Sequence, residues 1–369
     1  MRRTLALFAA GLLLLPCGAL SGQGTGTVLL PDPKNPTTRV GTRGANFLEI
    51  GVGARGMALA GAYTSVAEGV TALYWNPAGI SEIEGPAVAF SLTKLYQDAN
   101  IDHSFAGGVL PVGANGAVGI ALTNLTSGDI ERTTEAFPEG NDPIFGRTFS
   151  YSATAAGLYY ARRLTDRLGV GIGVKAASEG IDNAHANYFG VDVGTKFRTG
   201  LYGTHIAASI SNLGSSGRYR GAAIERFSTD QQILAAPTGV EFSTQELQMP
   251  TLFRFSVRSD VVGASDALLA ANPNHNLIVL MDMADAIDTD VQLTLAAQYS
   301  FRDIVFLRAG KRFANEKQTT DFRGKGYGGS VGGGLWLPLG GGRRLAFDYA
   351  YTEMNELQNI QVFSLEFGF

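Results

Sequence analysis

Strict two-residue alternation runs through this chain from about residue 86 to its end. Val291, Leu293, Leu295, Ala297, Tyr299 and Phe301 alternate with Gln292, Thr294, Ala296, Gln298 and Ser300. Leu345, Phe347, Tyr349 and Tyr351 alternate with Arg344, Ala346, Asp348 and Ala350. Phe189, Val191, Val193 and Phe197 alternate with Gly190, Asp192, Gly194 and Lys196. Successive side chains on a strand point to opposite faces, so each segment has one oily face and one polar or glycine face. About fourteen such segments lie at roughly 86–96, 101–112, 116–125, 147–163, 167–179, 186–198, 202–213, 249–260, 275–285, 290–302, 303–313, 327–338, 342–353 and 359–369. Most exceed the ~5–6 residues of globular strands and reach the ~9–11 that a tilted membrane-crossing strand needs.

The connections support the same reading. With the first strand starting on the periplasmic side, short turns fall at 112–115, 165–166, 199–201, 302–303 and 338–342. A longer one falls at 261–274. The outer loops fall at 97–100, 126–146, 180–185, 214–248, 286–289, 314–326 and 354–358. The longest loops share one side, which is the signature of an outer-membrane barrel. The expected fold is therefore all-β: a 14-stranded antiparallel transmembrane barrel with both ends of the wall in the periplasm. Residues 105–122 could pass for an apolar helix, but Pro111, several glycines and the hairpin signal Asn115-Gly116 break them.

Fourteen strands at ~4.8 Å spacing and ~40° tilt give a diameter of ~28 Å. Eight strands are just filled by their own side chains, so this lumen needs a plug, water or a ligand. Glycine, 48 of 369 residues, is in excess. Gly169, Gly171, Gly173, Gly190 and Gly194 fall on the predicted lumen face, where they mark close approach of another backbone. Asp192, Lys196, Lys175, Asp282, Arg308, Arg312, Asp348 and Glu366 fall inside strands. A Lys or Arg on the lipid face would cost ~2–4 kcal/mol at the midplane, so these charges belong in the lumen, paired across strands or with the plug.

Arg2 and Arg3, the apolar run 5–15 and the small residues at 18–22 read as a cleaved secretory signal, residues 1–22. The apolar run is too short to span a bilayer. Cys17 is the only cysteine, so no disulfide framework is expected. The formal charge of −4 and the lack of a basic stripe argue against nucleic acid. Residues 23–45 read as a flexible periplasmic leader, 46–85 as a small-residue hatch with helical spacing, and 86–369 as the barrel.

Motifs for chemistry are weak. Gly51, Gly53 and Gly56 match G-x-G-x-x-G without a βαβ unit. Ser330 matches G-x-S-x-G without a following helix. Asp102, His103 and Ser104 are strand neighbours that point to alternate faces and cannot form one triad. His103, His185, His205 and His275 lack ligand spacing. No enzyme, cofactor or metal site is expected.

The stretch from Gly53 to Tyr63, GARGMALAGAY, and the stretch from Ala72 to Gly79, ALYWNPAG, resemble the PorV/PorQ family of outer-membrane proteins. That family is related to FadL-type channels, which carry a similar Asn-Pro-Ala motif. The resemblance implies an inward-folded hatch with Asn76, Pro77, Ala78 and Gly79 as its structural motif: Asn76 and Pro77 end a helical stretch and turn the chain into the first strand, and Gly79 allows a tight exit. It also implies that Phe363, Leu365, Phe367 and Phe369 form a signal for the barrel-assembly machinery. PorV-like function implies a type IX secretion component that binds exported cargo or secretion-machine subunits. Loop 214–248, with Tyr219, Phe227 and Phe242, would meet such partners. FadL-like function implies uptake of hydrophobic small molecules. Either reading places the chain in the outer membrane, against its lipid.

Overall fold

The computed structural model describes residues 41–96, 99–134, 137–141, 146–228, 238–241, 243–289, 291–313, 328–354 and 358–369. The predicted signal and most of the leader fall outside these residues.

Fourteen long strands close into one antiparallel barrel. They are β1 Ala87–Leu95, β2 Ile101–Val112, β3 Gly116–Thr126, β4 Tyr151–Arg163, β5 Leu168–Ile181, β6 Ala184–Arg198 and β7 Thr204–Gly214. The second half comprises β8 Leu252–Gly263, β9 His275–Ala286, β10 Gln292–Phe301, β11 Val305–Phe313, β12 Gly329–Gly340, β13 Arg343–Glu353 and β14 Asn359–Gly368. Each strand pairs with its sequence neighbours, β7 pairs with β8, and β14 returns to β1 with Leu365 opposite Phe90. Closure leaves no unpaired edge, as a lipid-exposed sheet requires. No helix among the described residues is long and apolar enough to cross a membrane.

The oily rows point outward. Leu158, Ile172, Phe189, Leu295, Leu307 and Phe347 are exposed, whereas Lys175, Asp192, Arg308, Asp348 and Glu366 on the opposite face are buried. Lumen-side charges pair within the wall: Lys175 Nζ lies 2.6 Å from Asp192, and Arg308 lies 2.7 Å from Asp348.

Several boundaries differ from the sequence reading. The β2–β3 turn is Gly113–Asn115, and Val112 pairs with Gly116. The left-handed residue is Gly113 at φ +64°, so Asn115-Gly116 is not the hairpin turn itself. The segment expected as one strand over 147–163 breaks before Tyr151, because Thr148–Phe149 pairs instead with Ile130–Glu131. The loop expected at 180–185 shrinks to Asp182 and Asn183, since β5 and β6 pair out to Ile181 and Ala184. The connection after β8 folds back, and Ala270–Ala271 lies parallel to Val262–Gly263.

The segment from Ala45 to Ile83 fills the lumen. It holds only short helical pieces: Asn46–Glu49, α1 Ala54–Ala58, α2 Ala72–Trp75 and Pro77–Glu82. Small residues explain why: without long side chains, no helix face can dominate, and the backbone follows the wall. Val52, Ala54, Leu59, Ala62, Val70 and Leu73 are fully enclosed. Trp75 is the centre of the packing, with its indole N–H donated to the Val52 carbonyl at 2.8 Å and Tyr63 and Tyr74 edge-on to its ring.

Residues 44 and 45, at the end of the expected leader, are bonded to the barrel. The Gly44 N–H reaches the Gln248 carbonyl at 3.0 Å, and the Ala45 N–H reaches Glu179 at 3.0 Å. Both partners stand at the long-loop end of the barrel, two residues from the end of β5 and just before β8. At the other end, Gly85 lies against Phe369, and the Phe369 N–H bonds the Pro86 carbonyl at 2.9 Å.

Candidate functional site

The Asn-Pro-Ala-Gly motif locks the hatch to the wall. Asn76 is fully buried, extended at φ −162°, and caps α2. Its side-chain amide donates to the carbonyls of Thr64 (3.1 Å) and Thr195 (3.0 Å), while its Oδ1 accepts from the Ala78 N–H at 3.1 Å. One side chain thus ties two hatch segments to β6. Pro77 does not lead into β1. It opens the 3-10 turn Pro77–Glu82, as a residue without a free N–H can at a first helical position. Gly79, expected to allow a tight exit, lies inside that turn. It is buried, and a Cβ there would meet the Ala72 side chain at 2.8 Å and the Ala67 carbonyl closer still.

The lumen glycines serve this packing. A Cβ on Gly171 would sit 2.5 Å from Ala78 N, and one on Gly194 would sit 2.9 Å from Pro77 Cδ. Gly310 of β11 faces the Leu59 backbone in the same way, at 2.5 Å. Only bare backbone fits where two main chains touch.

Buried charges make a second lock. Arg55 of α1, 4% exposed, reaches Asp348 of β13 at 3.2 Å, Glu366 of β14 at 3.3 Å and Glu68 at 3.3 Å. Its guanidinium lies 4.2 Å from the Trp336 ring centroid. Lys196 of β6 holds Glu82 at 2.6 Å and the Ala67 carbonyl at 3.0 Å. Arg312 of β11 donates to the Ala60 carbonyl at 2.9 Å. Asp282 of β9 accepts from the Thr64 N–H at 3.2 Å and from Ser256. The strand charges singled out in the sequence therefore anchor the wall and the hatch.

Above the hatch, toward the long loops, lies a cavity of about 600 Å³. Its wall includes Leu95, Ile101, Leu125, Leu252, Met354 and Ile360, and its floor is made by Ile50, Met57 and Trp75 of the hatch. Tyr96 and Tyr151 add aromatic edges. A polar end carries Glu49, Arg254, Thr289, Gln292 and Arg312. The Arg254 guanidinium lies 5.4 Å and 5.0 Å from the Tyr74 and Trp75 ring centroids. Burial, reinforced by nearby Asp288, pushes the Glu49 carboxyl up to about 7 against the pull of Arg254 and Arg43. Near neutral pH this end therefore carries less negative charge than its composition suggests. An apolar chamber with a few convergent polar groups is the usual form of a small-molecule site.

A larger hollow of about 880 Å³ lies on the wall around Ala297 and Ala309. These two small residues sit side by side in the outward row, between Val279 and Val331. It faces the lipid band, so bilayer chains fill it by default.

The remaining candidates find structural partners or none. His103 is buried on the lumen side, while Asp102 is exposed on the other face. Ser330 meets the Thr352 hydroxyl at 2.9 Å in a strand. No metal-holding cluster of three His, Cys, Asp or Glu occurs among the described residues. Phe363, Leu365 and Phe369 are exposed on the outward side of the closing strand, and Phe367 is half-buried with Phe369 edge-on to it. Tyr219 packs onto the lumen core instead of facing out. Phe242 lies outside the described residues.

No protein-family profile matches the chain, and no curated protein matches it. Solved structures do. The CymD monoaromatic hydrocarbon channel superposes with a TM-score of 0.56 at 13% identity, over 87% of this chain and 98% of that one. The Pseudomonas putida toluene transporter TodX gives 0.52 at 12%, over 86% and 96%. A Pseudomonas aeruginosa FadL homologue gives 0.51 at 13%, over 85% and 97%. At such low identity the shared property is the fold alone: like these channels, this chain is a closed 14-stranded antiparallel β-barrel.

Proposed function

We propose that this protein is an outer-membrane channel for hydrophobic small molecules, which it receives in the cavity above the hatch. The apolar chamber bounded by Leu95, Ile101, Leu125 and Ile360 carries this reading. These are inward-facing residues near the outer ends of their strands, and with Ile50, Met57 and Trp75 of the hatch they give the chamber its apolar surface. Water in such a chamber is displaced favourably by an apolar guest, at roughly 25 cal/mol per Å² of apolar surface buried. The fold shared with hydrocarbon channels supports it. The export reading rests on the ARGMALAGAY and LYWNPAG resemblance, and those residues serve here to seat the hatch.

In the same reading, the outward row Phe363, Leu365, Phe367 and Phe369 is the recognition element for barrel assembly. The test of transport is uptake of radiolabelled toluene by cells producing the protein. Leu125→Arg puts a charge in the chamber and is expected to lower uptake at least tenfold, with an unchanged amount of heat-modifiable barrel. Equal uptake by the variant, or none above background by the parent, would reject the channel.

A further inference from the structure

The hatch has a direction through the barrel. It is fastened first at the long-loop end. Glu179, 4% exposed, accepts the Ala45 N–H at 3.0 Å, the Tyr188 hydroxyl at 2.7 Å and the Tyr151 hydroxyl at 2.9 Å. Tyr151 begins β4 and Glu179 stands two residues before the end of β5, so all three donors meet at one rim. The preceding Gly44 bonds Gln248, which pairs with Ser216 just past the end of β7.

The chain then descends. Gly53 donates to Ser91 at 3.2 Å, near the middle of β1. Ala54 donates to Ser364 at 2.7 Å, near the middle of β14. Val70 donates to Glu366 at 3.3 Å, closer to the end of β14. At Gly85 the chain lies against Phe369, the last residue of the wall. It then turns into β1 at Ala87.

A segment fastened at one rim and released at the other has passed through the barrel. The long connections mark the outer rim, and the short ones mark the periplasmic rim. We propose that the covalent path upstream of Arg43 starts at the outer mouth, so that Gly41 and Thr42 stand on the cell-surface side and the carboxy terminus stands on the periplasmic side. This inference rests on the fold and its orientation, not on transport.

The alternatives are distinguishable by charge. An N-terminus held in the periplasm would have to double back beside the hatch, and the lumen there is filled with enclosed Ala54, Ala58, Leu59 and Ala62. Carrying a carboxylate as buried as Glu179 costs several kcal/mol unless it is satisfied. The hydroxyls of Tyr151 and Tyr188 satisfy part of that need, and the Ala45 N–H adds a third donor when this end occupies the outer rim.

The test is site-specific labelling in a Cys17→Ser background. Thr42→Cys is compared with Gln245→Cys, exposed in the outer loops, and Asn115→Cys, exposed in a short turn. A membrane-impermeant maleimide is added to intact cells and to permeabilised cells. Thr42→Cys is expected to label in intact cells to the same extent as Gln245→Cys, while Asn115→Cys labels only after permeabilisation. Labelling of Thr42→Cys only after permeabilisation, or in neither state, would overturn the proposal. Should Thr42→Cys fail to give a heat-modifiable barrel, Gly41→Cys is read in its place: its φ of +77° strains the exposed turn, but a Cβ there meets nothing within 4 Å. A failure of toluene uptake leaves this readout untouched, so the two readings fail separately.

Discussion

Gly194→Leu is expected to expel the Asn76–Gly79 turn from its seat while leaving the barrel wall closed. A Cβ at this position already falls 2.9 Å from Pro77 Cδ and nearer still to the Asn76 side chain. The rest of a leucine has nowhere to go, because Asn76 is fixed on three sides by Thr64, Thr195 and Ala78. Overpacking a core typically costs ~1–3 kcal/mol when neighbours can yield. Here the neighbours are the Pro77 ring and the hydrogen-bonded Asn76 side chain, and the cost includes an unsatisfied buried amide, another ~1–3 kcal/mol. The check has two parts. The temperature at which the folded band converts on a gel should fall by several degrees. Ion conductance in planar bilayers should rise, because the hatch no longer fills the lumen. Gly171→Leu, aimed at the Pro77–Ala78 peptide 2.5 Å away, should behave alike. A Leu in the outward row of the same strand, at Val193, should do neither, since Val193 is exposed.

Arg55→Met is the second large effect. The guanidinium serves three carboxylates and stacks on Trp336, all within the barrel. Removing one partner of a buried ion network costs ~3–5 kcal/mol, because the charges left behind cannot reach water. The cost falls at the lower end here. Asp348 keeps Arg308 at 2.7 Å, and Glu366 keeps Arg344 at 3.5 Å. Glu68 is half-exposed and loses little. Buried pairs are poorly screened, so added salt should leave the parent's unfolding temperature unchanged. A variant as stable as the parent would show that Arg55 does not hold the hatch.

How far these features were readable from sequence depends on what surrounds each residue. A wall strand has lipid on one side and a polar lumen on the other, so its residues alternate, and β4 to β7 and β9 to β14 stand out. Lys175, Asp192, Arg308 and Asp348 could be placed inside because lipid forbids them. The hatch gave no such contrast. Nearly every side of it is buried, so Ala, Gly and Val recur without a period, and the expected helical stretch reduces to four short pieces. Gly79 was misread for the same reason: its role comes from Ala67 and Ala72, which only the folded turn brings close. The position of Gly44 and Ala45 depends on Gln248 and Glu179, more than a hundred residues away, which no local pattern encodes. The cavity did leave a trace. Leu95, Leu125 and Ile360 are large apolar residues on the inward face, at the outer ends of their strands. Inward apolar residues clustered at one end of several strands are the signal for such a chamber.

Location of a bound guest tests the central claim most directly. Crystals grown with 4-bromotoluene would reveal the bromine by its anomalous scattering. The expected peak lies between Leu95, Leu125 and Ile360, above Trp75, and disappears in Leu125→Arg. A chamber without bromine, or bromine only in the lipid-facing hollow around Ala297 and Ala309, would contradict a channel that receives its substrate above the hatch.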